Sequence, residues 1–259
     1  MTMKINKNHL YCYIALFLFL ISGCSDSLSD TTDGRLRYWI STLSSDEFEG
    51  RAPGTEGGKL TKNFISKTFQ DLDLDPINGN YLLEVPASEI TLKDSSYLTL
   101  SFRGNDRKMI TGQEVVFWTK HAREYRKIRD SEVVFVGYGI VAPEYNWNDY
   151  DGIDVEGKTV VILINDPGFA TGKLRLFNGR SMTYYGRWTY KFEEAARQGA
   201  SAAIIIHEDE PAAYPWSVVE NSWQGPQLDL QRDDLGADRV ILEGWIRDNT
   251  INEVLNFTG

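Results

Sequence analysis

The chain has 259 residues, of which 42% are hydrophobic, and its net charge is −10 at pH 7. A chain of this length and composition can bury a sizeable core without disulfides. Its negative charge disfavours binding to nucleic acid and to anionic membrane surfaces. We therefore expect no nucleic-acid partner.

The first 24 residues have the pattern of a secretory signal. Lys4 and Lys7 form a short basic region, the apolar run Leu10–Ile21 follows, and two small residues precede Cys24. The apolar run is too short to span a membrane as a helix. The segment 21–24 resembles the lipobox of bacterial lipoproteins, in which the cysteine is lipidated and becomes the new N-terminus.

This resemblance implies a lipoprotein signal peptide over residues 1–23, a lipid on Cys24 and a polar tether over residues 24–34. Two or three acyl chains on one residue anchor a protein stably to a bilayer. Ser25 after the cysteine resembles the pattern for outer-membrane delivery. We expect an exported protein on the periplasmic or surface side of that membrane, in contact with it only through the lipid. The alternative is an ordinary signal peptide with an incidental cysteine.

Residues 35–80 are predicted to form a helical lead-in. Apolar residues between Tyr38 and Leu43 favour one amphipathic helix, and those between Leu60 and Leu72 favour a second. The segment Glu49–Gly58 between them is too rich in glycine to continue a helix. It could cradle an anion at a helix start, but it lacks the lysine and serine of a phosphate-binding loop, so we interpret it as a simple linker.

Residues 81–130 are predicted to form a β meander. The apolar and polar residues alternate in the way that is typical of half-buried strands. The three predicted strands are Tyr81–Val85, Tyr97–Phe102 and Glu114–Trp118.

Residues 131–245 carry the strongest secondary-structure signals. The predicted elements are a strand Val133–Val141, a strand Val160–Ile164, a helix Trp188–Gln198 and a strand Ala202–Ile206. Strands that are apolar on both faces need cover on both sides, and a helix between two of them indicates a parallel crossover.

The last segment, residues 246–259, predicts a helix Ile251–Asn256 with Gly259 as its cap. The predicted fold class is mixed α/β (α+β). It combines a β-rich domain and its flanking helices with an N-terminal helical piece of an incomplete α/β domain.

Candidate catalytic residues are few. His207 follows an apolar strand and lacks a second histidine within one helical turn, so we interpret it as a strand-end residue in a polar loop. His121 lies among basic residues and is interpreted as part of a solvated surface. Glu193 and Glu194 are helix neighbours that point apart, which favours a solvated helix face over an acid/base pair. Composition and spacing alone reveal no active site.

Several motifs are together similar to one enzyme family. They are Leu43–Thr55, Val134–Tyr145, Asn165–Gly168, Tyr184–Lys191 and His207–Trp216. The first resembles the lead-in segment of bacterial di-zinc aminopeptidases related to glutamate carboxypeptidase II. The others resemble the protease-associated domain inserted in those enzymes, here expected over residues 131–245.

The resemblance implies a peptide-hydrolysing family with two zinc ions in the full-length enzyme. Its zinc ligands and general base lie downstream of the protease-associated domain, and none of their motifs occurs before Gly259. No catalytic or metal residue can be carried over to this chain. The implied role is a lid that narrows access of peptides to the catalytic domain, which we expect to be missing.

Arg187 is the one substrate-facing candidate that the resemblance provides. Relatives place an arginine that meets the substrate just ahead of the corresponding helix, and Arg187 lies nearest to that place. The alternative is a surface arginine stacked on Trp188 or Tyr185.

Two other functions remain open at this point. The chain could be a stand-alone lipoprotein module that binds a peptide or a protein, or a structural subunit of an enzyme whose catalytic part is a separate chain.

Overall fold

The computed structural model describes residues 32–258, so the predicted signal peptide, Cys24 and the cap Gly259 lie outside the described residues. The chain divides into two compact units between Glu84 and Val85. Within the described residues, no helix combines the length and the apolar character that crossing a bilayer requires.

The first unit consists of helix α1 (Thr32–Leu43), the 3-10 helix Asp46–Arg51 and helix α2 (Glu56–Asp71). The Thr55 side chain caps α2 by accepting a hydrogen bond from Gly58 N at 3.1 Å. The Phe64 ring of α2 contacts the rings of Tyr38 and Phe48, with both centroid distances at 6.0 Å. The two helices predicted in this region are therefore confirmed, and these ring contacts pack them together.

The interpretation of Glu49–Gly58 as a simple linker is wrong. Gly57 and Gly58 belong to the first turn of α2 and are buried. A Cβ atom at Gly57 would overlap the carbonyl oxygen of Phe48, and one at Gly58 would overlap the carbonyl oxygen of Ala52. These glycines therefore serve close packing between two helices.

The second unit contains eleven of the described strands. They are β1 (Ala87–Ile90), β2 (Thr99–Phe102), β3 (Asn105–Lys108), β4 (Val115–Trp118), β5 (Val133–Phe135), β6 (Val141–Ala142), β7 (Trp147–Asn148), β8 (Thr159–Leu163), β9 (Ala202–His207), β10 (Gln227–Leu230) and β11 (Leu242–Arg247). Its helices are α3 (Pro167–Thr171), α4 (Trp188–Arg197), α5 (Asp209–Ala212), α6 (Trp216–Ser222) and α7 (Asp248–Thr258).

A five-stranded sheet with the order β4-β11-β9-β8-β5 organises this unit. β5, β8, β9 and β11 are parallel, and β4 is antiparallel to β11. Helix α4 connects β8 to β9, so the predicted parallel crossover is confirmed.

Both faces of the sheet are covered, as the continuous apolar runs predict. Ile162 and Ile205 pack on one face with Phe192 of α4. Ile204 packs on the other face with Val254 of α7. Each fully buried isoleucine contributes about 1.5–3 kcal/mol relative to an exposed one.

The predicted meander over residues 81–130 is wrong. Residues 81–85 form no strand, and β1 begins at Ala87 and pairs with β10. β2 and β3 form a hairpin of their own, whereas β4 joins the large sheet. The strands predicted over residues 97–102 and 114–118 are present as β2 and β4, but the alternating pattern did not identify their neighbours.

Two predicted element bounds also change. The strand predicted over Val133–Val141 ends at Phe135, because Gly137 and Gly139 adopt φ angles of 57° and 58°, in the left-handed region. The final helix begins at Asp248 and continues to Thr258. The fold class itself is confirmed, since the chain has a mixed α/β fold with several small sheets and helices.

Candidate functional site at the carboxyl edge of the sheet

The carboxyl ends of the four parallel strands meet at one edge of the sheet, which we call the carboxyl edge. α4 runs back from this edge between β8 and β9, so its first residue also lies there. The edge carries Tyr138, Asn165, Asp166, Arg187, His207, Glu208 and Asp248. Parallel sheets place ligand-binding residues at this edge, and the chain concentrates polar side chains there.

Arg187 is the exposed cation of this edge. It precedes α4 with a φ angle of −73° and a ψ angle of 140° and gives the helix no side-chain cap. Within the described residues, its guanidinium has no ion pair, no hydrogen bond and no stacked aromatic ring. The alternative of stacking on Trp188 or Tyr185 is therefore wrong. Burial raises the pKa of Tyr214, and the positive charge of Arg187 partly opposes this rise.

His207 lies beneath Tyr214 in a buried aromatic cluster. Its ring is 2% exposed and lies 5.5, 5.6 and 5.8 Å from the rings of Tyr214, Trp216 and Trp245. Nδ1 is 3.5 Å from a carboxylate oxygen of Asp209, and Nε2 has no hydrogen-bond partner in the described residues. Burial lowers the pKa of His207, against the opposing charge of Asp209. The prediction of a polar loop residue is wrong, because His207 is still part of β9.

Asn165 and Asp166 hold the loop that precedes α4. Asp166 is fully buried, and its carboxylate accepts hydrogen bonds from Gly168 N at 3.0 Å and from Thr183 N and Oγ1 at 3.0 and 2.8 Å. Asn165 donates to Pro211 O at 2.8 Å and accepts from Asp166 N at 2.8 Å. Because these polar atoms are already paired, the two residues position the edge and are not free to bind a ligand.

Lys191 is a buried cation that the sequence analysis missed. It is fully buried on the inner side of α4, and its Nζ donates to Tyr138 O at 2.6 Å. Burial lowers the pKa of Lys191 to about 7, against the opposing charges of Asp149 and Asp166. A visible signal was its place on the apolar face of α4, between Trp188 and Ala195 at helical spacing. The hydrogen bond from Lys191 connects α4 to the loop after β5. Because solvent does not reach Lys191, its role is structural.

Two further predictions of exposed polar residues are wrong. His121 is buried, with Nε2 3.0 Å from Arg239 O. Glu194 is buried and accepts from Arg197 Nη2 at 2.7 Å and Gln198 Nε2 at 2.8 Å, whereas Glu193 accepts from Tyr184. The two glutamates have different partners and do not form an acid/base pair.

No metal site can be built from residues 32–258. In that part of the chain, no three histidine, cysteine, aspartate or glutamate side chains come together as a metal-binding group. The residues described here therefore do not fit the two zinc ions that the family resemblance implies. What the carboxyl edge offers is a free guanidinium at the start of a helix, which suits binding of an anionic group.

Comparisons with known proteins give weak likenesses. No protein-family model matches the sequence, and no curated protein matches it significantly. An aminopeptidase from Aneurinibacillus sp. strain AM-1 aligns at 17% identity, with a TM-score of 0.34, over 85% of this chain and 42% of its own length. A zinc aminopeptidase from Bacillus subtilis aligns at 18% identity, with a TM-score of 0.25, over 80% of this chain and 42% of its own. This chain thus spans 42% of the length of each neighbour.

Proposed function

We propose that this chain is the N-terminal part of an exported zinc-dependent aminopeptidase. It contributes the protease-associated lid that shapes access of peptides to a catalytic domain supplied by other residues. The two zinc ions and the residues that cleave the peptide bond belong to that catalytic domain. Cys24 carries the lipid that holds the enzyme at the outer membrane, on its periplasmic or surface side.

The observation that carries the proposal is that the Arg187 side chain is exposed and, among the described residues, unpaired just ahead of α4. The family resemblance places a substrate-contacting arginine next to the start of this helix. The Arg187 side chain is exposed at that point, and within the described residues it makes no ion pair, hydrogen bond or ring stacking. A free guanidinium can bind a substrate carboxylate through two parallel hydrogen bonds. Its role is binding and orientation of the peptide.

Peptide binding by the purified chain tests this role. Arg187→Gln should weaken binding of a short peptide about tenfold, as loss of one charge-assisted contact does. Arg175→Gln is the matched control, because Arg175 is also exposed and has no side-chain partner in the described residues. Equal loss in both variants, measured by calorimetry, would show that Arg187 has no special role.

The catalytic assignment has its own test. The purified chain should bind no stoichiometric zinc and should not cleave aminoacyl-nitroanilides. Zinc in a one-to-one or two-to-one ratio together with cleavage would overturn the proposal that the active site lies elsewhere. Reading the gene beyond codon 259 should reveal a continuing frame that encodes the His-x-Asp-His motif of the family.

A stand-alone lipoprotein module that binds a peptide or a protein is the second candidate. The same Arg187, exposed ahead of α4, would serve it. Labelling with radioactive palmitate, and its loss in Cys24→Ala, tests the lipid anchor that both functions share.

A further inference from the structure

A second cationic feature lies at the opposite edge of the sheet. β4 is antiparallel to β11, with Trp118 opposite Glu243, so the residues after β4 lie beside the amino ends of the parallel strands. The segment 120–129 follows β4 and contains five of the 27 basic residues of the chain but only one acidic residue. In a chain of net charge −10, this concentration of positive charge is a distinct local surface.

An open depression of about 410 Å³ lies between this segment and Ile241. Its lining consists of His121, Tyr125, Arg126, Lys127 and Ile241. Ile241 is anchored through its backbone N–H, which donates to Ser201 O at 2.8 Å. Tyr125 is 70% exposed, so the depression offers apolar contact area beside two cations.

Hydrogen bonds to His121 fix the Arg126 guanidinium. Arg126 Nε lies 3.0 Å from His121 Nδ1. Because Nε can only donate, Nδ1 is the acceptor, and the ring proton is on Nε2, which bonds Arg239 O at 3.0 Å. The buried imidazole is therefore held at both nitrogens and in turn holds Arg126.

This arrangement leaves the outer end of Arg126 available. The two terminal nitrogens of its guanidinium have no hydrogen bond or ion pair to any residue between 32 and 258, and neither does Nζ of Lys127. Three acids of the segment 229–238 are paired with other cations: Asp229 pairs with Lys120, whereas Asp234 and Asp238 pair with Arg232. Glu124, the acid of the basic segment itself, makes no ion pair with Arg126 or Lys127 in the described residues. A guanidinium held in place loses little freedom when it binds, which favours a two-pronged contact with an oxyanion.

We propose that this depression binds the carboxylate of a small ligand with an apolar body. The carboxylate accepts hydrogen bonds from the Arg126 terminal nitrogens, Lys127 adds a second positive charge, and the apolar body of the ligand covers Ile241 and Tyr125. A carboxylate on an apolar body fits better than inorganic phosphate, because its body can also cover Tyr125 and Ile241 in the lining. This site is separate from Arg187, which lies at the other end of the strands.

Calorimetry with a matched pair of probes tests the proposal. N-acetylphenylalanine carries a carboxylate on an aromatic body, and N-acetylphenylalaninamide is the same molecule without the charge. We expect the acid to bind at least about tenfold more tightly than the amide. Equal binding of the two probes, or tighter binding of inorganic phosphate than of the acid, would overturn the proposal.

Variants assign the binding to this depression. Arg126→Gln should reduce affinity for the acid about tenfold, and Arg126→Lys, which keeps the charge but loses the fork, should reduce it about threefold. Arg123→Gln is the matched control from the same segment, and it should retain full affinity. Equal losses in Arg123→Gln and Arg126→Gln would mean general charge attraction and would refute the site.

Lys127→Gln keeps the test valid if Arg126→Gln does not fold. Lys127 is exposed and has no side-chain partner within the described range, so its replacement should leave the circular dichroism spectrum unchanged. We expect it to weaken binding of the acid about threefold. Unchanged affinity in both Lys127→Gln and Arg126→Lys would overturn the proposal.

Discussion

Replacing Lys191 by methionine should change how the stability of the chain depends on pH. Lys191 is fully buried, and no carboxylate in residues 32–258 lies within ion-pair distance of its Nζ. Burial lowers its pKa from 10.5 to about 7. Between these two values the unfolded chain binds a proton at Lys191 that the folded chain does not bind.

The sign and size of the effect follow from this difference. The free energy of unfolding should rise with pH between about 7 and 10.5, by up to about 1.4 kcal/mol per pH unit. Below pH 7 the buried lysine is most unfavourable, by about 5 kcal/mol at 1.36 kcal/mol per pH unit. Methionine removes that penalty but leaves Tyr138 O without its donor, which costs about 1–3 kcal/mol. Lys191→Met should therefore stabilise the fold by about 2–4 kcal/mol at pH 7.

Urea unfolding at pH 7, 8 and 9 measures this effect. Tryptophan fluorescence reports on the second unit, which contains six of the seven tryptophans. The difference between wild type and Lys191→Met should shrink as the pH rises, whereas the exposed control Lys173→Met should follow the wild type throughout. If the free energies of unfolding of wild type and Lys191→Met changed with pH in parallel, the assignment of a strongly lowered pKa to Lys191 would be refuted.

Three further predictions concern other buried groups. Arg239→Ala should destabilise the fold by about 3–5 kcal/mol in urea unfolding, because it leaves the fully buried Glu243 carboxylate without its 2.7 Å ion pair; a loss below 1 kcal/mol would contradict this. Gly57→Ala should destabilise the first unit by about 1–3 kcal/mol, because its new methyl group meets the carbonyl oxygen of Phe48; an unchanged circular dichroism melting curve would count against it. Burial lowers the pKa of His207 from 6.5, so stability should fall as the pH drops through 6.5, and His207→Gln should flatten that slope; equal slopes in both proteins would exclude this cause.

The sequence predicts the central part of the sheet because the information is local. β8 and β9 are continuous apolar runs, and the helix between them carries its apolar residues at helical spacing. A parallel pair joined by one crossover then follows from chain connectivity. For this reason β8, α4 and β9 match the predicted bounds to within one residue, whereas α3 between them was not predicted.

The outer strands could not be placed in the same way. Ala87 pairs with Leu230, and Val115 pairs with Ile246. More than a hundred residues separate the partners, and nothing in the local sequence of β1 or β4 selects them. Pairing between neighbouring strands was therefore the natural expectation, and it failed.

The sequence also failed to predict the burial of two histidines, for a related reason. His121 stands among basic residues in the sequence, yet its Nε2 partner is Arg239 O, 118 residues away. His207 is followed by three acidic residues, yet the rings of Trp216 and Trp245 enclose it. A polar neighbourhood in sequence predicts exposure only when no distant element covers the residue.

Both proposed binding sites depend on arginines that lack a carboxylate partner in the described residues. Some exposed arginines of this acidic chain meet carboxylates, as Arg37 meets Asp33 and Arg180 meets Glu210, whereas Arg175 meets none in the described residues. Exposed pairs of this kind contribute little stability, so their absence at Arg187 and Arg126 costs the fold little and leaves each guanidinium open to a ligand. The six residues of β9 separate the two edges by about 20 Å at 3.3 Å per residue. A change at one arginine should therefore leave binding at the other site unaffected.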